Sequence, residues 1–214
     1  GDDWGVPEPR RYADHEAMLA EADLDVVSVA SPTYLHAEHV HDAVDVGDPA
    51  VVWCEKPIAG SVADAESMVD ACEAAGVELV VNHVRRWDEP YVRLREAVEE
   101  GALGDVRTVN AQFKLELLRN GTHYLDTVAW ILGERAVRAS GHLTGETPMH
   151  DRELPLEVDD GGGGGYVVFE DGTFLTLDCV VPRDSYSGWF VFTGSGGRCR
   201  VSEGEETGAY WAIE

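Results

Sequence analysis

Lysine is nearly absent from this chain of 214 residues: of its 16 basic residues, two are lysines, Lys56 and Lys114. Lys56 stands in Glu55-Lys56-Pro57, directly after the apolar run Val51-Val52-Trp53-Cys54. Lysine offers what arginine does not, an ammonium whose proton affinity burial brings toward neutrality, so that it can donate or accept a proton. Two readings stand together here: a proton-transfer lysine, or a Glu55–Lys56 surface pair in a tight turn. Pro57 makes the Lys56–Pro57 bond a candidate for a cis peptide.

His123, in Asn120-Gly121-Thr122-His123-Tyr124-Leu125-Asp126, is the second candidate. We read it at the start of a helix, where an imidazole either hydrogen-bonds a hydroxyl and transfers a proton or is satisfied by local backbone. His36, His39 and His41 form an HxxHxH cluster, but positions 36 and 39 share a helix face that 41 leaves, and no HExxH or cysteine element completes a set. We therefore expect a solvated helical face and no metal site. The four cysteines show no CxxC spacing and suit reduced, buried thiols. There is no GxSxG elbow and no P-loop.

Composition narrows the partners. With 41 acidic residues the formal net charge is −25, which repels phosphate backbones and anionic membranes and argues against nucleic-acid and membrane partners. The acids are spread along the chain and 44% of residues are hydrophobic, so the pattern is that of a folded, salt-adapted protein and not of a disordered acidic tail. No apolar run is long enough to span a bilayer and no signal peptide is visible, so we expect a cytoplasmic protein.

These side chains need elements to position them. The first half alternates helix-like and strand-like patterns: helix over 12–22, strand Asp25–Ala30, helix Leu35–Val44, strand Val51–Cys54, helix Ser61–Ala75 opened by Ser61 and Asp64 and closed by Gly76, and strand Glu78–Asn82. Strands recurring about every 26 residues with helices between them predict βαβ units in a parallel sheet. Ligands gather at the carboxyl ends of such strands. Here those ends are Ala30-Ser31-Pro32-Thr33, Cys54-Glu55-Lys56-Pro57 and Asn82-His83-Val84-Arg85-Arg86-Trp87.

A helix from Asp88 to Glu100, ended by Gly101, leads into a different pattern. Strand Val106–Phe113 and helix Thr122–Leu132 precede strands Val137–Leu143, Gly165–Phe169, Thr173–Val181, Trp189–Thr193 and Arg198–Val201. Glu170-Asp171-Gly172-Thr173 reads as a hairpin turn, Gly194-Ser195-Gly196-Gly197 as a second turn, and Gly161–Gly165 as a flexible lead-in to a strand. The fold class is thus α/β plus α+β: a partial parallel βαβ domain over 1–86, then a domain with an open antiparallel sheet over 87–214, with the boundary near Arg85–Pro90.

Five segments in order resemble one known family: Val29-Ala30-Ser31-Pro32-Thr33-Tyr34-Leu35-His36, Glu55-Lys56-Pro57, Arg85-Arg86-Trp87-Asp88-Glu89-Pro90, Gly101-Ala102-Leu103-Gly104-Asp105-Val106 and Gly121-Thr122-His123-Tyr124-Leu125-Asp126. The chain resembles the glucose–fructose oxidoreductase and inositol dehydrogenase family, Gfo/Idh/MocA, over roughly residues 5–202. That resemblance implies a Rossmann domain, an NAD or NADP cofactor, a sugar or polyol substrate, and homo-oligomers formed through the antiparallel sheet. It implies cofactor contacts from Ser31, Pro32, Thr33, His36, Glu55, Lys56 and Pro57, and substrate contacts from Lys56, Arg86, Asn120 and His123. Lys56 would be the proton relay and His123 would touch the hydroxyl being oxidised; these two are the catalytic residues it implies.

Two departures accompany the resemblance. Relatives commonly carry an Asp four residues before the histidine, where this chain has Arg119 beside Asn120. The family also opens with a strand and a glycine-rich dinucleotide loop, which these residues lack, so we expect an N-terminally truncated dehydrogenase with little activity of its own and with Asp25–Ala30 as an exposed apolar edge. The alternative is a non-catalytic relative that serves as a sugar-binding or oligomerising module.

Overall fold

In the computed structural model, the described residues are 5, 7–114, 116–144, 161–181, 188–204 and 208–213. The chain divides into two compact units, Gly1–Asn82 and His83–Glu214. Among the described residues no helix is long and apolar enough to cross a membrane.

In the first unit α1 (His15–Glu21), β1 (Val26–Val29), α2 (His36–Asp42), β2 (Val51–Cys54), α3 (Val62–Ala75) and β3 (Glu78–Val81) follow one another. The strands form a parallel sheet in the order β1-β2-β3, in register Val27 to Val52 to Leu79. Val27, Val29, Val52 and Cys54 pack with Leu19, Val40, Met68 and Cys72 in its core. Among the described residues β1 lies at an edge of this sheet, and its Val26 is 54% exposed. The Ser61 hydroxyl caps α3 by accepting from Asp64 N (3.1 Å), and Gly76, left-handed at φ 72, closes it.

The helix expected over Leu35–Val44 is not uniform. A 3-10 turn, Thr33–Leu35, precedes α2, and a π turn, Ala43–Gly47, follows it before Asp48 turns left-handed at φ 48. Asp45-Val46-Gly47-Asp48 holds no strong helix former to carry a further regular turn.

The second unit holds α4 (Glu89–Glu99), β4 (Val106–Lys114), α5 (Leu117–Leu132), β5 (Ala136–Thr144), β6 (Gly162–Phe169), β7 (Phe174–Val181), β8 (Gly188–Gly194), β9 (Arg198–Gly204) and β10 (Gly208–Ile213). Its seven-stranded sheet runs β10-β9-β8-β4-β7-β6-β5. The antiparallel expectation needs correction, because β4 pairs parallel with β7 while its other neighbour, β8, is antiparallel. β4 is cut off in sequence from the hairpin series by α5 and inserts at the centre of the sheet, where no tight turn dictates its direction. β10 also extends the sheet beyond the last strand read from sequence.

Alternation along β4 sends Val109, Ala111 and Phe113 to the core, where Phe190 and Phe192 of β8 join them. Tyr124 of α5 stacks between Phe113 (4.2 Å) and Phe190 (4.6 Å), and the buried Arg85 guanidinium lies 4.2 Å from the Tyr124 ring centre. The opposite face is polar: Thr176 donates to Asn110 (2.6 Å) and Trp189 to Gln112 (3.1 Å). Both expected turns form, with Gly172 N–H donating to Phe169 O and Gly194 N–H to Gly197 O.

The glycine run corrects a further expectation. Gly162–Gly165 are not a lead-in but paired residues of β6, opposite β5 on one side, and Gly163–Gly165 also pair with β7 on the other. A Cβ on Gly165 would lie 2.4 Å from Ser140 O and 2.8 Å from Gly141 Cα, so the two strands approach where a side chain has no room. A Cβ on Gly164 would meet nothing nearer than Leu177 O at 3.6 Å. Gly165→Val is therefore expected to cost about 1–3 kcal/mol, whereas Gly164→Val should be neutral or stabilising because valine suits a strand. Urea unfolding of the two variants checks this; equal stabilities would contradict the close approach.

α1 is tied to α2 by His15 Nε2 and Asp42 Oδ2, 2.8 Å apart. This hydrogen bond to Asp42 raises the His15 pKa above its ordinary 6.5, while burial first and His15 second push His39 below it. A histidine with a raised folded-state pKa contributes its full stability below the ordinary value and loses it as pH climbs through the raised one. Asp42→Asn should thus be less stable than the parent below about pH 6.5 and should converge with it in alkali. Thermal melts across pH test this, and a gap that widens with rising pH would contradict it.

Candidate active site

The parallel sheet of the first unit brings its three strand ends to one rim. The ladder continues one residue past the strands: Glu55 N–H donates to Val29 O (2.9 Å) and Asn82 N–H to Cys54 O (2.8 Å). Glu55 and Asn82 thereby stand side by side, and the Glu55 carboxylate accepts from Asn82 Nδ2 at 2.6 Å and from Lys56 N at 3.2 Å. Lys56 is half-buried at this point, and the bond that follows it, Lys56–Pro57, is cis. Asn82 was not singled out as a site residue from sequence. The signal was the strand register, which pairs Cys54 with Val81 and so sets the next residues abreast.

His36 links the other two loops. It is 1% exposed, with Nε2 2.9 Å from Ser31 O and Nδ1 3.0 Å from Pro57 O and 3.2 Å from Ile58 O. This corrects the solvated histidine face expected of the cluster: α2 lies against the sheet, so its apolar side and His36 turn inward together. Both ring nitrogens face backbone carbonyls, so the ring joins the Ser31 loop to the Pro57–Ile58 segment. His39 Nδ1 lies 2.9 Å from Ser31 Oγ, and His41 Nε2 is 3.2 Å from Ser67 Oγ. Pro32 and Thr33 continue the same loop, Pro32 capping the 3-10 turn with its carbonyl accepting from Leu35 N–H at 2.9 Å.

Among the described residues, one group of metal-capable side chains converges: His15, Glu16 and Asp42, with ligand atoms within 4.8 Å of one another. Within it His15 and Asp42 already hydrogen-bond each other. All four cysteines are buried. Burial pushes the Cys54 thiol up to about 12, with the Glu55 charge adding to it, and raises Cys72 in the same direction, which keeps these thiols protonated and unreactive.

The remaining candidates lie in the second unit. α5 begins at Leu117, five residues before the start read from sequence, so His123 belongs to its second turn and not to its start. The start expected at Thr122 leaves Gly121 outside the helix. It is buried within it instead, where a Cβ would come within 2.9 Å of Leu117 Cδ1 and 3.5 Å of Phe113 Cζ. Asn120 stands one turn before His123, its N–H donating to Glu116 O (2.8 Å). Asp126 stands one turn after His123, on the same side of the helix. Arg86 forks onto Asp126 through Nε (3.0 Å) and Nη2 (2.5 Å). Two further residues escaped the sequence reading: Glu116, buried and left-handed at φ 80 where α5 starts, and Asp126 itself.

A family model described as "Oxidoreductase family, NAD-binding Rossmann fold" matches residues 2–83. Inositol 2-dehydrogenase of Paracoccus denitrificans is 41% identical over 213 residues, spanning 92% of this chain and 60% of that protein. D-apiose dehydrogenase of Rhizobium rhizogenes is 36% identical over 105 residues, 49% of this chain and 29% of that protein. The chain thus spans less than two thirds of the length of these curated relatives. The aldose-aldose oxidoreductase of Caulobacter crescentus, solved with glycerol, superposes with a TM-score of 0.83 at 24% identity, covering 100% of this chain and 68% of that one. That likeness shows the fold. With the parallel rim, the Glu55-Lys56-Pro57 turn and these matches agreeing, the chain belongs to the Gfo/Idh/MocA oxidoreductase family.

Proposed function

We propose that this protein is a nicotinamide-dependent dehydrogenase of a sugar or polyol, with Lys56 as its proton relay. One observation carries the reading: Lys56 stands half-buried on the carboxyl rim of a parallel sheet, after a carboxylate clamped by Asn82. The residues of the rim suit the nicotinamide end of such a cofactor. Ser31, Pro32 and Thr33 face it on a loop that His36 holds to the Pro57–Ile58 backbone, and Glu55 is fixed in place by Asn82 and Lys56 N.

When bound, a nicotinamide supplies the hydride acceptor. The protein's share is to bind, orient and handle the proton. Lys56, as the free amine, takes the proton of the substrate hydroxyl while its carbon loses hydride, and passes the proton to solvent. Within the second unit, His123, Arg86 and Asn120 are assigned to the substrate, His123 to a hydroxyl. Names of the relatives support a polyol or aldose substrate. The proposed setting is a high-salt one, where counterions screen the repulsion of a chain with net charge −25.

The test is nicotinamide reduction by the purified chain in molar KCl with inositols and aldoses, using NAD and NADP in turn. Lys56→Met and Lys56→Arg are both expected to lower kcat by about 10²–10⁴, with cofactor affinity little changed. A Lys56→Arg variant that keeps its turnover would reduce Lys56 to a charge partner of Glu55. Polyol binding by calorimetry without any hydride transfer would favour the non-catalytic sugar-binding module.

A further inference from the structure

We propose that His83 is a positioning residue for His123, itself set by the carboxylate of Asp126; what His123 touches rests on the dehydrogenase reading above. His83 opens the second unit, one residue before the 3-10 turn Val84–Arg86. Its Nδ1 lies 3.7 Å from Asp126 Oδ2, and its side chain, like that of Asp126, is 14% exposed. Its ring meets the ring of His123 edge to face, with centres 6.3 Å apart and planes at 87°. Asp126 is held in turn by both donors of the Arg86 fork. Arg86, Asp126, His83 and His123 thus form one chain of contacts, and Thr127 Oγ1 anchors the same turn by donating to His123 O at 2.5 Å.

The chemistry of imidazole gives this chain a purpose. A neutral ring carries one N–H, and which nitrogen holds it decides whether His123 offers a substrate hydroxyl a donor or an acceptor. A carboxylate on the Nδ1 side of His83 favours the tautomer with its proton there and fixes the ring plane, as carboxylates do for histidines in other proton-handling groups. At 3.7 Å this attraction is Coulombic more than a formed hydrogen bond, and the Arg86 fork holds the carboxylate stationary for it. His83 then presents a fixed ring edge to His123, and His123 keeps one orientation and one tautomer. Other charged groups nearby on these elements are engaged elsewhere: Glu116 is 3.8 Å from Arg119, and Arg85 lies over Tyr124.

The experiment is side-chain nitrogen NMR on the full chain with isotope-labelled histidine, comparing the parent with His83→Phe and Asp126→Asn. His83→Phe keeps a ring against His123 and removes the nitrogens; Asp126→Asn keeps the shape and removes the charge. The expected result is a single His123 tautomer in the parent and a mixture in both variants, with the signals of His15, His36 and His39 unmoved as a record of folding. An unchanged His123 tautomer in either correctly folded variant overturns the proposal. In turnover assays, kcat/KM for the polyol should fall on the order of tenfold to hundredfold while KM for the nicotinamide cofactor stays constant. The NMR result is read without cofactor: an inactive parent with the predicted tautomer change would remove the dehydrogenase reading and leave His83 in place, and the reverse pattern would do the opposite.

Discussion

The imidazole of His36 is closed off from solvent and faced on two sides by backbone carbonyls, and the shape of the rim follows from how it satisfies them. Ser31 O belongs to the loop after β1; Pro57 O and Ile58 O belong to the segment just after Lys56. Carbonyl oxygens only accept, so any hydrogen bond between the ring and a loop carbonyl is one that a ring N–H donates. A hydrogen bond of this kind contributes about 0.5–1.5 kcal/mol net, so a loop held by the ring does not move off it freely. The ring thereby ties the Ser31 loop to the segment just after Lys56. Around this tie the Glu55–Asn82 hydrogen bond fixes the third strand end.

The acidity of the chain makes its few cations informative. Arginines are spent on defined partners: Arg93 on Glu89, Arg95 on Glu99, Arg107 on Asp105 and Arg86 on Asp126. Most such pairs at the surface contribute little to stability, whereas the Arg86 fork also immobilises a carboxylate beside His83. Lys56 stands instead on the rim, directly after β2. Composition alone raised that possibility; the position of Lys56 beyond a buried parallel strand gives it weight.

Much of the first unit was legible because its signals are local. Val51–Cys54 reads as a strand from its apolar run, α3 from its serine cap and closing glycine, and the rim from the rule that parallel strands place their carboxyl ends together. The cis bond at Lys56–Pro57 was also visible as a candidate, since proline makes such bonds accessible. What escaped depended on tertiary contact. His36 looks polar and solvent-facing in sequence, and only packing of α2 on the sheet turns it inward. The helix start expected at Thr122 leaves Gly121 outside, yet Gly121 lies inside α5 with Leu117 and Phe113 close beside it. The left-handed Glu116 and the parallel β4–β7 pair have no local signature at all. His83 and Asp126 were likewise plain residues of familiar segments until the fold set them against His123.

The central claim is that the rim formed by Ser31–Thr33, Glu55–Pro57 and Asn82 seats a nicotinamide. Backbone amide NMR of the chain in molar salt, titrated with nicotinamide mononucleotide, tests it most directly because that ligand carries the reactive ring and a single phosphate. The account predicts saturable shifts concentrated at Ser31, Thr33, Glu55, Lys56 and Asn82, with α4 and the outer strands β9 and β10 unaffected. Saturable binding that leaves those rim amides unmoved, or no binding at concentrations that saturate relatives of this family, would contradict it.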